Sequence, residues 1–143
     1  MASQDVEVTF SQSNQLVSIT DTQGVITYVN DQFCEVSGYS REELLGQHHN
    51  IVRHPDMPRA AFADLWLKLK NNQPWRGMVK NRCKDGNYYW VDAYVTALTE
   101  NAEVSGYQSV RVCPSVEQKQ SAQAFYRRIN KGKTLFDSPS AGH

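Results

Sequence analysis

Cysteine is scarce and scattered in this chain: Cys34, Cys83 and Cys113 stand far apart, and none belongs to a CxxC pair. An odd count of isolated thiols speaks against a disulfide framework and suits a reducing, cytoplasmic setting. Zinc is not expected, since only His48 and His49 lie side by side and no cysteine flanks them. Charge of one sign is lacking too. Lys plus Arg is 15, Asp plus Glu is 15, and the formal net charge is zero. Without a basic surplus there is no electrostatic case for nucleic acid or for an acidic membrane. No apolar run approaches the ~20 residues of a membrane span, and the N-terminus lacks a signal-peptide core, so a soluble chain without direct membrane insertion is expected. GxxxxGK[ST] and GxGxxG are both missing, which leaves nucleotide hydrolysis and Rossmann-type dinucleotide binding without support. Cys34 has no histidine base near it in sequence, so no catalytic constellation is expected and the thiol reads as core.

What is present fits one domain. The chain has 143 residues with 40% apolar content, enough for a single compact core. Residues 1–14 are polar and aperiodic and read as an N-terminal cap. Leu16–Thr20 and Val25–Val29 read as strands around the turn Asp21-Thr22-Gln23-Gly24. Asn30 suits the N-cap of a short helix through Val36. Ser40 with Glu43 three residues on forms a capping box, and Gly46 suits the position after that helix. A loop or one-turn helix over Gln47–Arg53 stops at His54-Pro55. From Pro58, placed at the first helical position, Phe62, Leu65, Trp66 and Leu69 recur on one helical face. Trp75–Cys83 and Tyr88–Leu98 flank the hairpin signal Lys84-Asp85-Gly86-Asn87. A further strand runs over Val104–Val112, Pro114 ends it, and Val116–Lys131 reads as a terminal helix. An α+β fold follows: a five-stranded antiparallel sheet with short helices gathered on one face and a C-terminal helix. The expected boundaries are a cap over 1–14, the domain proper over 15–114, a helix or linker over 115–133 and a disordered tail over 134–143.

Three stretches carry a family resemblance. Asp21-Xaa-Xaa-Gly24-Xaa-Ile26-Xaa-Tyr28-Xaa-Asn30, Ser37-Gly38-Tyr39-Ser40 through Leu44-Leu45-Gly46, and Asn81 through Val91 resemble the PAS fold, in order and at the right separations. Within them, His49 through Pro58, Ala61 through Trp66 and Pro74 through Arg82 are similar to the PAS domains of bacterial aerotaxis transducers. That resemblance implies a non-covalently bound FAD and a redox sensor rather than an enzyme. It also implies cytoplasmic placement, attached to the inner membrane only through the rest of a receptor, and as partners a HAMP or signalling domain or a second PAS domain. The light-sensing LOV relatives carry a cysteine in the segment that is Gly46–Val52 here, and this chain has none.

A flavin site needs flat apolar surface, donors and acceptors for the ring edge, and positive charge for phosphates. Trp66 and Trp75 supply surface. If Trp75 opens a strand, alternation puts Gly77, Val79 and Asn81 on its face, with Gly77 leaving room for a ligand and Asn81 able to pair with the ring edge. Arg53 can grip phosphate, His54 can donate to flavin or adenine, and Asp56 can orient either or accept from a ribose hydroxyl. By the resemblance, His49 aligns with a residue near the flavin and Asn30 with a pocket position, whereas His48 reads as solvent-facing. Plainer readings stand beside these. A tryptophan often just fills a core, Arg53 and Asp56 often form a surface pair, and capping alone accounts for Asn30. Two other functions also remain open: a haem gas sensor with His49 or His54 as axial ligand, and a ligand-free PAS module for dimerisation or interaction.

Overall fold

The computed structural model describes residues 5–136. Its elements are β1 (Leu16–Thr20), β2 (Ile26–Val29), α1 (Asp31–Ser37), α2 (Arg41–Leu44), a 3-10 turn (His49–Val52), α3 (Arg59–Lys70), β3 (Trp75–Arg82), β4 (Tyr88–Glu100), β5 (Glu103–Val112) and α4 (Val116–Phe136). The strands form one antiparallel sheet in the order β2-β1-β5-β4-β3, so β2 and β3 are its edges.

Local chemistry explains the starts and stops. Asn30 Oδ1 accepts from Phe33 N–H and opens α1, and Gly38 closes it at a φ of 80°, where only glycine is unstrained. Both halves of the Ser40–Glu43 capping box form, each hydroxyl or carboxylate taking the other residue's backbone N–H. Pro58 is the N-cap of α3, one place earlier than expected, and Arg59 takes the first helical position. The Pro58 ψ of 145° is extended, so the ring precedes the helix instead of starting it.

Register decides which residues meet. One row across the sheet reads Trp75, Val95, Ser109, Ser18, Val29, and the next reads Gly77, Ala93, Arg111, Leu16. These residues share the face that α1, α2 and α3 cover. The alternate residues, among them Met78 and Trp90, point the other way, and α4 packs there. Tyr126 O–H donates to the Met78 carbonyl at 2.7 Å, and its ring stacks on Trp90 with centroids 6.3 Å apart. The short helices therefore share one face, as expected, and the C-terminal helix α4 covers part of the other. Because the sheet turns apolar and aromatic side chains to both sides, both need cover. α4 also runs past Lys131 to Phe136, and residues 137–143 of the expected tail lie outside the described residues. Residues 6–10 run beside the start of β4: Val8 N–H donates to the Tyr88 carbonyl at 2.7 Å, and Phe10 meets Tyr89 edge-on.

Gly106 marks the tightest approach in the sheet. A Cβ there would stand 2.2 Å from the carbonyl oxygen of Thr20, a backbone atom that cannot swing aside. Gly106→Ala should therefore cost about 1–3 kcal/mol of stability through overpacking. Urea denaturation checks this, and an unchanged midpoint would contradict the packing of β5 on β1.

Candidate functional site

Between the inner face of the sheet and its helical cover lies a cavity of about 170 Å³. Its floor is Ala93 and Val95 of β4. One wall is β3, with Trp75, Val79 and Asn81; the opposite wall is Ser109 and Arg111 of β5 with Ser18 and Thr20 of β1. The roof is the apolar face of α3, Phe62, Leu65, Trp66 and Leu69, and the segment running from His48 to Arg53. That segment crosses the sheet from edge to edge. Near β2 it is held by Ile26 N–H to the Gln47 carbonyl at 2.8 Å and His49 N–H to the Gly24 carbonyl at 2.9 Å. At the other edge His54 N–H reaches the Lys80 carbonyl of β3 at 3.3 Å.

Five of the expected site residues line this cavity: His49, Arg53, Trp66, Trp75 and Asn81. Arg53 is exposed at the mouth, its Cζ 3.7 Å from the centroid of the Phe62 ring. Trp66 meets Tyr107 edge-on at 5.2 Å beside it. The Trp75 indole N–H donates to Asp64 of α3 at 2.9 Å, which tilts the ring back along its own strand. The ring then occupies the space above Gly77, where a Cβ would meet indole carbons at 2.5 Å. Gly77 thus makes room for Trp75, a correction to the reading in which it made room for a ligand.

Three expected site residues do not line the cavity. Asn30 is spent on backbone: its Oδ1 accepts from Val17 and Phe33 N–H, and its Nδ2 donates to the Gln15 carbonyl. His54 is buried with its ring edge-on to Tyr88, and its Nδ1 accepts from Asp56 N–H at 2.9 Å. Asp56 pairs with Lys80 Nζ at 2.9 Å, and Lys80 projects from the outer face of β3. Extended backbone at Arg53, with φ −73° and ψ 129°, sends its neighbour the opposite way, so Arg53 and His54 part company. His48 is exposed, as expected, and its ring rests on Gly24 at the rim.

The sequence reading passed over Arg111, Ser109 and Ser18. All three are buried, on inward positions of β5 and β1 where an apolar residue would be ordinary. Arg111 donates to Ser18 Oγ at 3.0 Å and to His49 Nε2 at 2.7 Å, and its Cζ lies 5.3 Å from the centroid of the Phe33 ring. Accepting from Arg111 through Nε2 requires neutral imidazole protonated at Nδ1. Burial, reinforced by the Arg111 charge, holds His49 well below the ordinary histidine range. Two buried polar atoms on the walls, Asn81 Nδ2 and Ser109 Oγ, have no hydrogen-bond partner. Asn81 faces Tyr89 across the β3–β4 ladder, near enough to act weakly on its hydroxyl, though neither Asn81 Nδ2 nor the Tyr89 hydroxyl makes a well-formed hydrogen bond. Orphaned buried donors cost about 1–3 kcal/mol each, so the walls keep donor capacity open to an acceptor.

The family model described as the PAS fold matches residues 26–111. The chain belongs to the PAS family. It is 49% identical over 119 residues to the aerotaxis receptor of Escherichia coli (strain K12), a match covering 83% of this chain and 24% of the receptor. The resemblance read in the sequence is thereby borne out. The nitrogen fixation regulatory protein of Klebsiella pneumoniae is 35% identical over 101 residues, covering 70% of this chain and 20% of that protein. The chain thus spans about a quarter or less of these relatives. Among solved structures, the light state of the blue-light photoreceptor Aureochrome1 LOV superposes with a TM-score of 0.69 at 19% identity, covering 85% of this chain and 93% of that one. A light-oxygen-voltage domain studied with a flavin analogue gives 0.68 at 23% identity, covering 85% and 90%. These likenesses establish the five-stranded PAS architecture. Among the described residues no helix is long and apolar enough to cross a membrane.

The neutral His49 generates a pH prediction. Its proton affinity is lower in the folded chain than in the unfolded one, so the unfolded state binds more protons at acid pH. Stability should be full above about pH 6.5 and fall below it by up to about 1.4 kcal/mol per pH unit, until the folded ring itself protonates. His54, lowered by burial and Lys80, adds a decline in the same window. Urea denaturation between about pH 7.5 and 5.5 should therefore show a shallower loss in His49→Gln than in the native chain. Equal losses would refute the enclosed neutral imidazole.

Proposed function

We propose that this PAS domain binds FAD non-covalently in the cavity and reports its redox state to the other domains of a chemotaxis receptor. The observation that carries the reading is a largely apolar cavity with two buried polar groups on its walls that lack a well-formed hydrogen bond, Asn81 Nδ2 and Ser109 Oγ, and an arginine at its mouth. A flavin ring offers flat apolar faces, a heterocyclic edge rich in acceptors, and a phosphate tail. Ala93, Val95 and the α3 roof would meet its faces. Asn81 would meet its edge, and Arg53 would hold a phosphate at the mouth. The fold neighbours that are light-oxygen-voltage domains, one of them studied with a flavin analogue, support the same ligand class.

Size sets a condition. At about 170 Å³ the cavity is smaller than the roughly 300 Å³ at which ligand pockets begin, so the roof must rise for the ring to enter. α3 is the element able to do so, tethered to β3 by the Trp75–Asp64 hydrogen bond, with Leu67 facing outward and Trp66 partly exposed at the edge of the cavity. His54, Asp56 and Asn30 have roles that the fold itself explains, and the proposed contact set omits them. The haem reading finds less support, because His49 Nε2 is engaged by Arg111 and Ser18 and His54 does not line the cavity. Bound flavin supplies reversible electron uptake, which alters the hydrogen-bonding capacity of its edge. Asn81 can reorient in answer. It shares β3 with Met78, whose carbonyl holds Tyr126 of α4, so a shift of that strand reaches α4 directly.

Purified chain should show flavin absorption bands and release FAD on denaturation. Arg53→Ala should weaken FAD binding by about 10–100-fold, the worth of a charge-assisted contact, with thermal stability nearly unchanged. Asn81→Ala should change the reduction potential more than the fold. A Soret band in place of flavin bands, or colourless protein that refuses added FAD, would overturn the reading.

A further inference from the structure

Arg111 is 6% exposed and has no acidic partner: no carboxylate among the described residues lies within ion-pair distance of it. Its hydrogen bonds go to two neutral acceptors, Ser18 Oγ and His49 Nε2. The Tyr89 hydroxyl cannot compensate it either, since burial holds that group far above its ordinary value and keeps it neutral. Burial lowers Arg111 itself only to about 10, so it stays charged at neutral pH. A buried cation without an anion is expensive, and proteins pair such charges or keep them to meet one. Here the cation forms part of the cavity wall.

Resting on the flavin reading, we infer that Arg111 is the charge partner of the ligand: it makes the cavity prefer a ring that carries one negative charge. Two electrons and one proton, the electrons supplied by a reductant such as dithionite, turn the neutral oxidised ring into a reduced ring of charge −1. The Arg111 charge takes the place of the second proton. His49 and Ser18 hold the guanidinium in position but bring no charge of their own. Arg111 is thus a determinant of which redox form is bound more tightly, and so of the potential at which the sensor responds.

The test uses the 143-residue chain loaded with FAD. The readouts are the affinity for oxidised FAD, from its fluorescence, and the midpoint potential against reference dyes. Arg111→Gln should lower the ratio of reduced to oxidised affinity by tenfold or more. For a two-electron couple each tenfold moves the midpoint by about 30 mV, here downward. Arg111→Lys, which keeps the charge, should restore most of the ratio; a residue needed only for packing would not show that rescue. FAD held by Arg111→Gln at an unchanged potential would overturn the inference while leaving the flavin reading intact. If Arg111→Gln fails to fold, proton stoichiometry in the native chain decides, measured at a pH acid enough for free FAD to take up two protons per two electrons. One proton in the chain supports the charge pairing, and two protons overturn it. Native chain that takes up no FAD sinks the flavin reading itself, and this inference with it.

Discussion

The segment from Gln47 to His54 is the constraint on which the rest of the molecule depends. Its backbone bonds tie it to β2 at one end and to β3 at the other, the two edges of the same sheet. A short chain can reach both edges only if the sheet curls toward it, and the right-handed twist of strands allows that curl. The tie also covers the edges, which would otherwise offer unpaired backbone groups. Under the arch the side chains of β1, β5, β4 and β3 cannot all be large, since the strap and α3 already take up the space. Alanine at 93, serine at 18 and 109 and valine at 95 fit that limit, and what is left over is the cavity.

The polarity of β1 and β5 is inverted relative to an ordinary half-buried strand. Ser18, Thr20, Ser109 and Arg111 point inward and are buried, whereas Val17, Ile19, Val110 and Val112 turn to the outer face. Neither half of that pattern suits an isolated domain with a dry core. An inward polar row is tolerable where a ligand will complete its hydrogen bonds. An outward apolar row is tolerable where something else packs on the sheet, as α4 does over Met78 and Trp90. Tyr28 and Tyr94 add exposed aromatic surface to the part of that face α4 does not reach. The inversion gives the sheet one face turned to the cavity and one turned to α4, with β3 touching both.

Much of this was legible in the sequence because it rests on short-range chemistry. The Ser40–Glu43 box, the Asp85-Gly86 hairpin and the spacing of Phe62, Leu65, Trp66 and Leu69 each follow from bonds or periods within a few residues. Family words then drew attention to Asn81, Trp75, Arg53 and His49, and the fold brings those four together. Arg111 was not legible for a definite reason. In Gly106-Tyr107-Gln108-Ser109-Val110-Arg111-Val112, alternation alone favours valines inward and arginine outward, and only pairing with Ser18 and Leu16 reverses that. His54 and Asp56 lie outside the cavity for an equally definite reason. They adjoin Arg53 in sequence, but extended backbone parts neighbours, and the lateral bond to Lys80 turns them to the outer side.

The two tryptophans expected at the site differ in a way that bears on how the cavity opens. Trp75 is locked: its ring fills the notch above Gly77, and its N–H is committed to Asp64. Trp66 is 38% exposed, lines the cavity and meets Tyr107 edge-on. Raising α3 would cost less at Trp66, where water already reaches the ring, than at buried Leu69, and would strain the Asp64–Trp75 bond. Asp64 is itself exposed and loses little solvation by releasing or regaining the indole. The roof is thus held at its inner end by a polar contact of about 0.5–1.5 kcal/mol rather than by buried apolar area alone. A ligand that satisfied Asn81 and Ser109 would offset the loss of that contact.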